Sequence, residues 1–313
     1  MTPIQQMLLG AAATPPQITT DGLYHYMNAN NSSVMSGSSR TLVANSERIG
    51  YVPSSDIGSP SGYGGYWPTG TNDQWQQGQN STSGSIYYTA PSGSNTAYFT
   101  FDGYPAGGGY GLGIKGNNFN TGSISWSWDG WVKPYDLGSS RPNPPSYGTQ
   151  STTPIVMSVN KQPSGPGNGA FSATQHWFYI WKYNNTNAWW GVANHDSSGT
   201  QHTMTGVMPS PTFNWTTNTT WYHFAITLNG STGKKSVYID GGLNMASTSS
   251  GFASAVYTNY QHHARLYLGG AAGNSNQIFR GDISTSRYYY NKELTAAEVL
   301  NNYNLEKSLH GKP

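Results

Sequence analysis

The chain of 313 residues contains no cysteine. That excludes disulfides and thiolate metal sites together, and with them the small disulfide-stapled ectodomain. Charge is nearly as scarce: Asp, Glu, Lys and Arg make up 9% of residues and the formal net charge is +2. Such a chain has no long-range field to draw in nucleic acid or an anionic membrane surface. Glutamate is especially thin, with Glu47 alone before residue 293. Retaining glycoside hydrolysis needs two carboxylates about 5 Å apart, and no segment carries Glu-x-Asp-x-Glu on one face. No Gly-x-Ser-x-Gly elbow stands between a strand and a helix, so serine hydrolysis has no visible nucleophile either. The apolar run within Met1–Ala13 is too short to span a bilayer and has no basic flank, so neither a signal peptide nor a transmembrane helix is expected.

What the chain has is aromatic rings, glycine and neutral hydrogen-bonding groups: 14% aromatic residues, 39 Gly, 23 Tyr and 11 Trp. That mixture suits a sheet protein with long polar loops. Trp221 to Leu228 alternates with period two, placing Tyr222, Phe224, Ile226 and Leu228 on one apolar face. Asn229 to Gly233 reads as a turn, Ser236 to Asp240 as the return strand of a hairpin, and Asp240-Gly241-Gly242 as a second turn. Arg265 to Gly269, Phe279 to Ile283 and Ser286 to Tyr290 read as three more strands. Then Leu294-Thr295-Ala296-Ala297-Glu298-Val299 has the form of a helix start: Thr295 caps, Glu298 reaches back, and Leu294 staples onto Val299. A short helix with an apolar stripe of Val299, Leu300 and Tyr303 is expected against the sheet.

This ordered series resembles the laminin-G-like, concanavalin-A-like jelly-roll family. The residues that carry the likeness are Trp-Tyr-His-Phe-Ala, Val-Tyr-Ile-Asp-Gly, Leu-Tyr-Leu-Gly-Gly, Phe-Arg-Gly-Asp-Ile and Asn-Lys-Glu-Leu-Thr-Ala-Ala-Glu-Val, with Tyr98–Gly103 and Ile124–Pro134 upstream. It covers residues 96 to 304 well and 21 to 95 loosely. It implies an all-β, antiparallel two-sheet sandwich with long loops and a short C-terminal helix. It also admits a calcium ion at a loop edge, for which Asp102, Asp129, Asp196 and Asp240 are the candidate ligands; no other cofactor is expected. The Arg280-Gly281-Asp282 tripeptide lies inside a framework strand and reads as framework. His223 reads as a packed sheet-face histidine.

Three segments follow: an apolar arm over residues 1–20, the jelly roll over 21–305 with 21–95 loop-rich, and a tail over 306–313. Ile4, Met7, Leu8 and Leu9 form an aliphatic patch on an otherwise polar chain, which reads as a docking arm for a partner surface. Trp177 to Trp181 and Ala188 to Val192 read as paired strands around a polar turn. Flat rings stack on pyranose faces and neutral side chains bond to hydroxyls. On that ground Tyr63, Tyr66, Trp67, Trp75, Trp189 and Trp190 are the expected glycan-contacting residues. The resemblance extends to accessory and adhesive proteins of bacteriophage particles. The expectation is therefore a non-enzymatic, homo-oligomeric virion surface protein, on capsid or tail, made in the host cytoplasm. It would be held to other virion proteins by its arm and would present a lectin-like jelly roll to cell-surface glycans, without membrane insertion. The competing expectation is a free carbohydrate-binding lectin or an accessory module of a polysaccharide-processing system.

Overall fold

The computed structural model describes residues 17–30, 35–36, 41–42, 76–77, 86–89, 92, 96–102, 112–115, 124–134, 155–161, 174–182, 188–195, 200–208, 219–253, 264–269 and 279–313. In chain order the strands are β1 (Leu23–Asn28), β2 (Met35–Ser36), β3 (Thr41–Leu42), β4 (Gln76–Gln77), β5 (Ile86–Thr89), β6 (Tyr98–Asp102), β7 (Leu112–Lys115), β8 (Trp126–Pro134) and β9 (Ile155–Lys161). They continue as β10 (Thr174–Lys182), β11 (Ala188–His195), β12 (Gln201–Val207), β13 (Tyr222–Asn229), β14 (Lys234–Ile239), β15 (Gly242–Thr248), β16 (Ala264–Leu268) and β17 (Arg280–Tyr290). A four-residue helix α1 (Ser250–Ala253) follows β15, and α2 (Ala296–Glu306) runs into a 3-10 turn at Lys307–His310.

Two antiparallel sheets make a sandwich of the expected jelly-roll kind. One has eight strands in the order β15-β14-β13-β8-β17-β6-β5, with β1 also paired to β17; the other has seven, in the order β12-β11-β10-β9-β16-β7-β4. Period-two alternation sends one face of each strand inward. Tyr222, Phe224, Ile226 and Leu228 of β13 enter the core with Trp126, Trp128 and Val132 of β8 and with Phe178, Ile180, Trp190 and Val192 from the opposite sheet. Phe178 joins the layers, its ring 5.5 Å from Trp128 and 4.9 Å from Phe224. Full burial of one such side chain contributes about 1.5–3 kcal/mol.

Local sequence explains the corners. Asp240 and Gly241 both take positive φ, 50° and 78°, the two-residue turn that Asp-Gly favours and that matches the twist of the β14–β15 hairpin. The capping box is present: Glu298 N–H donates to Thr295 Oγ1 and Thr295 N–H to Glu298 Oε2. Leu294 and Val299 are buried together.

Several expectations are corrected. The two strands expected over 279–290 are one, β17, with a bulge between Ile283 and Thr285; the carbonyl at Ser284 is used by the Ala29 N–H at 2.9 Å. Strands β12 and β15 were not expected, because both are neutral edge strands that owe their form to pairing with β11 and β14. The helix does not bury the stripe Val299, Leu300 and Tyr303. Its buried residues are Val299, Asn302 and Glu306, and Leu300 is 46% exposed. Nor is the end of the chain a loose tail: His310 is buried and stacks on Trp131 at 4.0 Å. Among the described residues no helix is long and apolar enough to cross a membrane.

Candidate functional site

The register of β10, β11 and β12 lines up aromatic and hydroxylic residues on the side of the seven-stranded sheet that faces away from the main core, with Trp177 and Tyr179 buried there and the β11–β12 end more open. Trp177 lies opposite Ala193 and Tyr179 opposite Gly191, while Trp181 lies opposite Trp189. Thr203, Thr205 and Val207 stand beside Ala193, Gly191 and Trp189 on the next strand. Residues directly opposite one another share a face, so Trp177, Tyr179, Trp189, Thr203, Thr205 and Val207 point the same way. Trp177, Tyr179 and Ala193 form a cluster separate from the main core. Tyr179 lies across Gly191 so closely that a methyl group there would collide with the ring, and burial pushes its phenol up to about 12. The hydroxyl therefore stays protonated, able to donate and accept, through the physiological range. Trp189 is half-buried and Thr203 exposed, and Gln201 Nε2 donates to Thr203 Oγ1 at 2.9 Å.

One residue of the adjacent tryptophan pair is corrected. Trp190 is completely buried, on the core side opposite Ile180 and Gly206, and cannot stack on a ligand. Trp189, one position earlier, takes the outward face. Tyr179 and the β12 row were missed; the alternation of Trp177, Tyr179 and Trp181 against Phe178 and Ile180 was the signal that could have found them. Tyr63, Tyr66, Trp67 and Trp75 lie outside the described residues, as do Ile4, Met7, Leu8 and Leu9 of the arm and Asp196.

The remaining calcium candidates fall on the eight-stranded sheet. Asp129 is fully buried, receives Arg287 Nη1 at 2.8 Å and Asn302 Nδ2 at 2.6 Å, and is thereby committed to the contact between the sheet and α2. Arg287 also donates to Glu306. Burial drives the Glu306 carboxyl up from its ordinary value, against the pull of Arg287. His223 lies 4.0 Å from Asp129 Oδ2, and burial lowers it to about 4 despite that carboxylate. Asp240 receives the His223 backbone N–H at 3.0 Å and Lys312 Nζ at 2.7 Å. Asp102 ends β6 opposite Arg280. Asp282 of the Arg-Gly-Asp tripeptide is buried and paired with Lys133 at 2.7 Å, so the tripeptide is framework. Among the described residues no three His, Cys, Asp or Glu side chains gather where a metal ion could sit.

Between the sheets lies a cation. Lys235 is completely buried; its ammonium donates to Asn194 Oδ1 at 2.5 Å and rests 3.9 Å from the centre of the Phe252 ring. With no carboxylate beside it among the described residues, burial lowers its pKa to about 7.

No protein-family model matches the chain, and no curated protein matches it. Solved structures similar to it include the binding domain of Paraclostridial Mosquitocidal Protein 1, at 13% identity and a TM-score of 0.45 over 77% of this chain and 51% of that one. Another is the native heptameric SAP-like pentraxin from Limulus polyphemus, at 12% identity and 0.43 over 67% and 82%. A third is domain 4 of AbnA, an extracellular arabinanase from Geobacillus stearothermophilus, in complex with arabinotriose, at 20% identity and 0.39 over 70% and 81%. The chain spans about half the length of the mosquitocidal toxin binding domain it matches.

Proposed function

We propose that this protein is a non-enzymatic jelly roll that binds neutral glycans on the outer face of β11 and β12. The observation that supports it is the half-buried Trp189, opposite Val207, at one end of a face that it shares with Thr205 and Thr203 of β12. It offers a flat ring to stack on a sugar face and uncharged groups to bond its hydroxyls, and among the described residues of this face there is no carboxylate pair to cleave it. The low charge of the chain fits a ligand chosen by stacking and hydrogen bonds. The test is a glycan array followed by calorimetry on the best ligand. Selective binding that Trp189→Ala abolishes, with the fold intact by circular dichroism, is expected; binding unaltered by that substitution would remove the site.

The setting we propose is a virion surface, with residues 1–20 as the docking arm to other virion proteins. A cysteine-free, nearly uncharged chain with an aliphatic patch at Ile4, Met7, Leu8 and Leu9 supports this setting. Deleting residues 1–16 should abolish incorporation into particles while leaving glycan binding intact. Unchanged incorporation, or glycan binding with no particle association at all, would instead favour a free lectin.

A further inference from the structure

Every residue of β15, from Gly242 to Thr248, is exposed. Among the described residues the strand ends its sheet, with β14 as its single neighbour. Exposure extends to both of its faces. Leu243, opposite Tyr238 on the α2 side, is 60% exposed. Met245, opposite the core residue Val237, is still 37% exposed. So β15 overhangs the sandwich, with residues of both faces exposed and, among the described residues, its outer edge unpaired. Leu300 adds a third apolar side chain: it lies against Gly241 at the root of the strand and is 46% exposed.

Bare edge strands template pairing with another chain, and proteins blunt them with lysine, proline, short length or a bulge. The sequence of β15, Gly-Leu-Asn-Met-Ala-Ser-Thr, has no charge and no proline. Its bulge falls between Leu243 and Met245, leaving Met245 to Thr248 regular in register. Thus nothing over its last four residues discourages a further strand.

We propose that β15 is a self-association surface, where a second copy of this chain joins β15 to β15 in antiparallel pairing about a two-fold axis near Ala246, clear of the bulge. A two-fold makes one patch its own complement. Uncharged residues let the strand meet itself without like charges opposite each other, Met245 of one copy facing Ser247 of the other. Two eight-stranded sheets become one continuous sheet, and the edge N–H and C=O groups gain partners. Seven strand residues with Leu300 offer on the order of 500 Å² per copy, roughly 1,000 Å² in all, which reaches the lower bound for a specific interface. This surface is separate from the Trp189 face, and the inference does not depend on glycan binding.

Sedimentation equilibrium on the full chain at roughly 1 to 100 μM, the range in which modest interfaces assemble, tests it. The expected mass is twice the 33.8 kDa of one chain. Met245→Lys and Ala246→Pro should each give monomers with an unchanged circular dichroism spectrum. Met245 is exposed, so its lysine variant decides the matter should the proline variant fail to fold. A wild-type chain that stays monomeric, or a Met245→Lys chain that still dimerises, overturns the proposal. So does a dimer lost on deleting residues 1–16 and kept in Met245→Lys, which would make the arm the contact. Glycan binding retained by the monomeric variant is the expected control.

Discussion

Replacing Lys235 with methionine should stabilise the fold at neutral pH, by an amount that shrinks as pH rises. The amine has a pKa of about 7 in the folded chain, against an ordinary 10.5. That difference of 3.5 units, at about 1.4 kcal/mol each, is a cost of roughly 5 kcal/mol for keeping the charged form buried. Methionine keeps the length of the stem and removes the charge, but leaves Asn194 Oδ1 without its donor, a cost of about 1–3 kcal/mol. A net gain on the order of 2–4 kcal/mol below about pH 7 follows. Because the folded pKa is the lower one, the unfolded chain binds the extra proton between the two values, and wild-type stability rises with pH across that window. From about pH 7.5 to about pH 9.5 the wild type should gain roughly 2.5 kcal/mol on the variant. Urea unfolding followed by tryptophan fluorescence at several pH values measures the gap. A gap that stays constant over this range would show that Lys235 is not held in a neutral-favouring interior, and the reasoning fails.

Gly191→Ala should displace Tyr179 and destabilise by about 1–3 kcal/mol, seen as a lower Tm together with weaker glycan affinity. Thr295→Ala removes the cap of α2 and should cost about 1 kcal/mol in urea unfolding, without touching ligand binding. Arg287→Met strands Asp129 and Glu306 without their cation and should cost about 3–5 kcal/mol, the fold being partly recovered when Asp129→Asn is added. Acid should also loosen the C-terminal segment. Burial lowers His223 to about 4 and His310 to about 3, so their contribution is complete above the unfolded value of 6.5 and is lost as pH falls through the folded values. Hydrogen exchange in residues 296–310 should then rise below about pH 5, and a flat profile would refute this.

Much of the scaffold could be read from local pattern. The alternation in Tyr222–Leu228 and in Trp126–Val132 puts their rings in the core as expected, and the Asp240-Gly241 turn and the Thr295–Glu298 capping box stand where the residues pointed. The edge strands were opaque because β12 and β15 carry only two large apolar side chains each, Met204 and Val207 in the first and Leu243 and Met245 in the second, too few for a period-two pattern to show. Of the two adjacent tryptophans named for the candidate site, Trp189 is half-buried and Trp190 fully buried. Alternation tells that two adjacent residues take opposite faces, and says nothing of which face meets the second sheet.

The sequence by itself determined the secondary pattern, the corners, the exclusion of disulfide chemistry and the neutral character of the surface, since each depends on residues within a few positions of one another. Only the tertiary structure decided that Asp129 pairs with Arg287, 158 positions away. It also decided that Lys235 lies in an interior and that β15 stands bare. Burial and pairing across such separations are set by which sheet faces which, and low-charge alternating strands are compatible with either face until the two layers close.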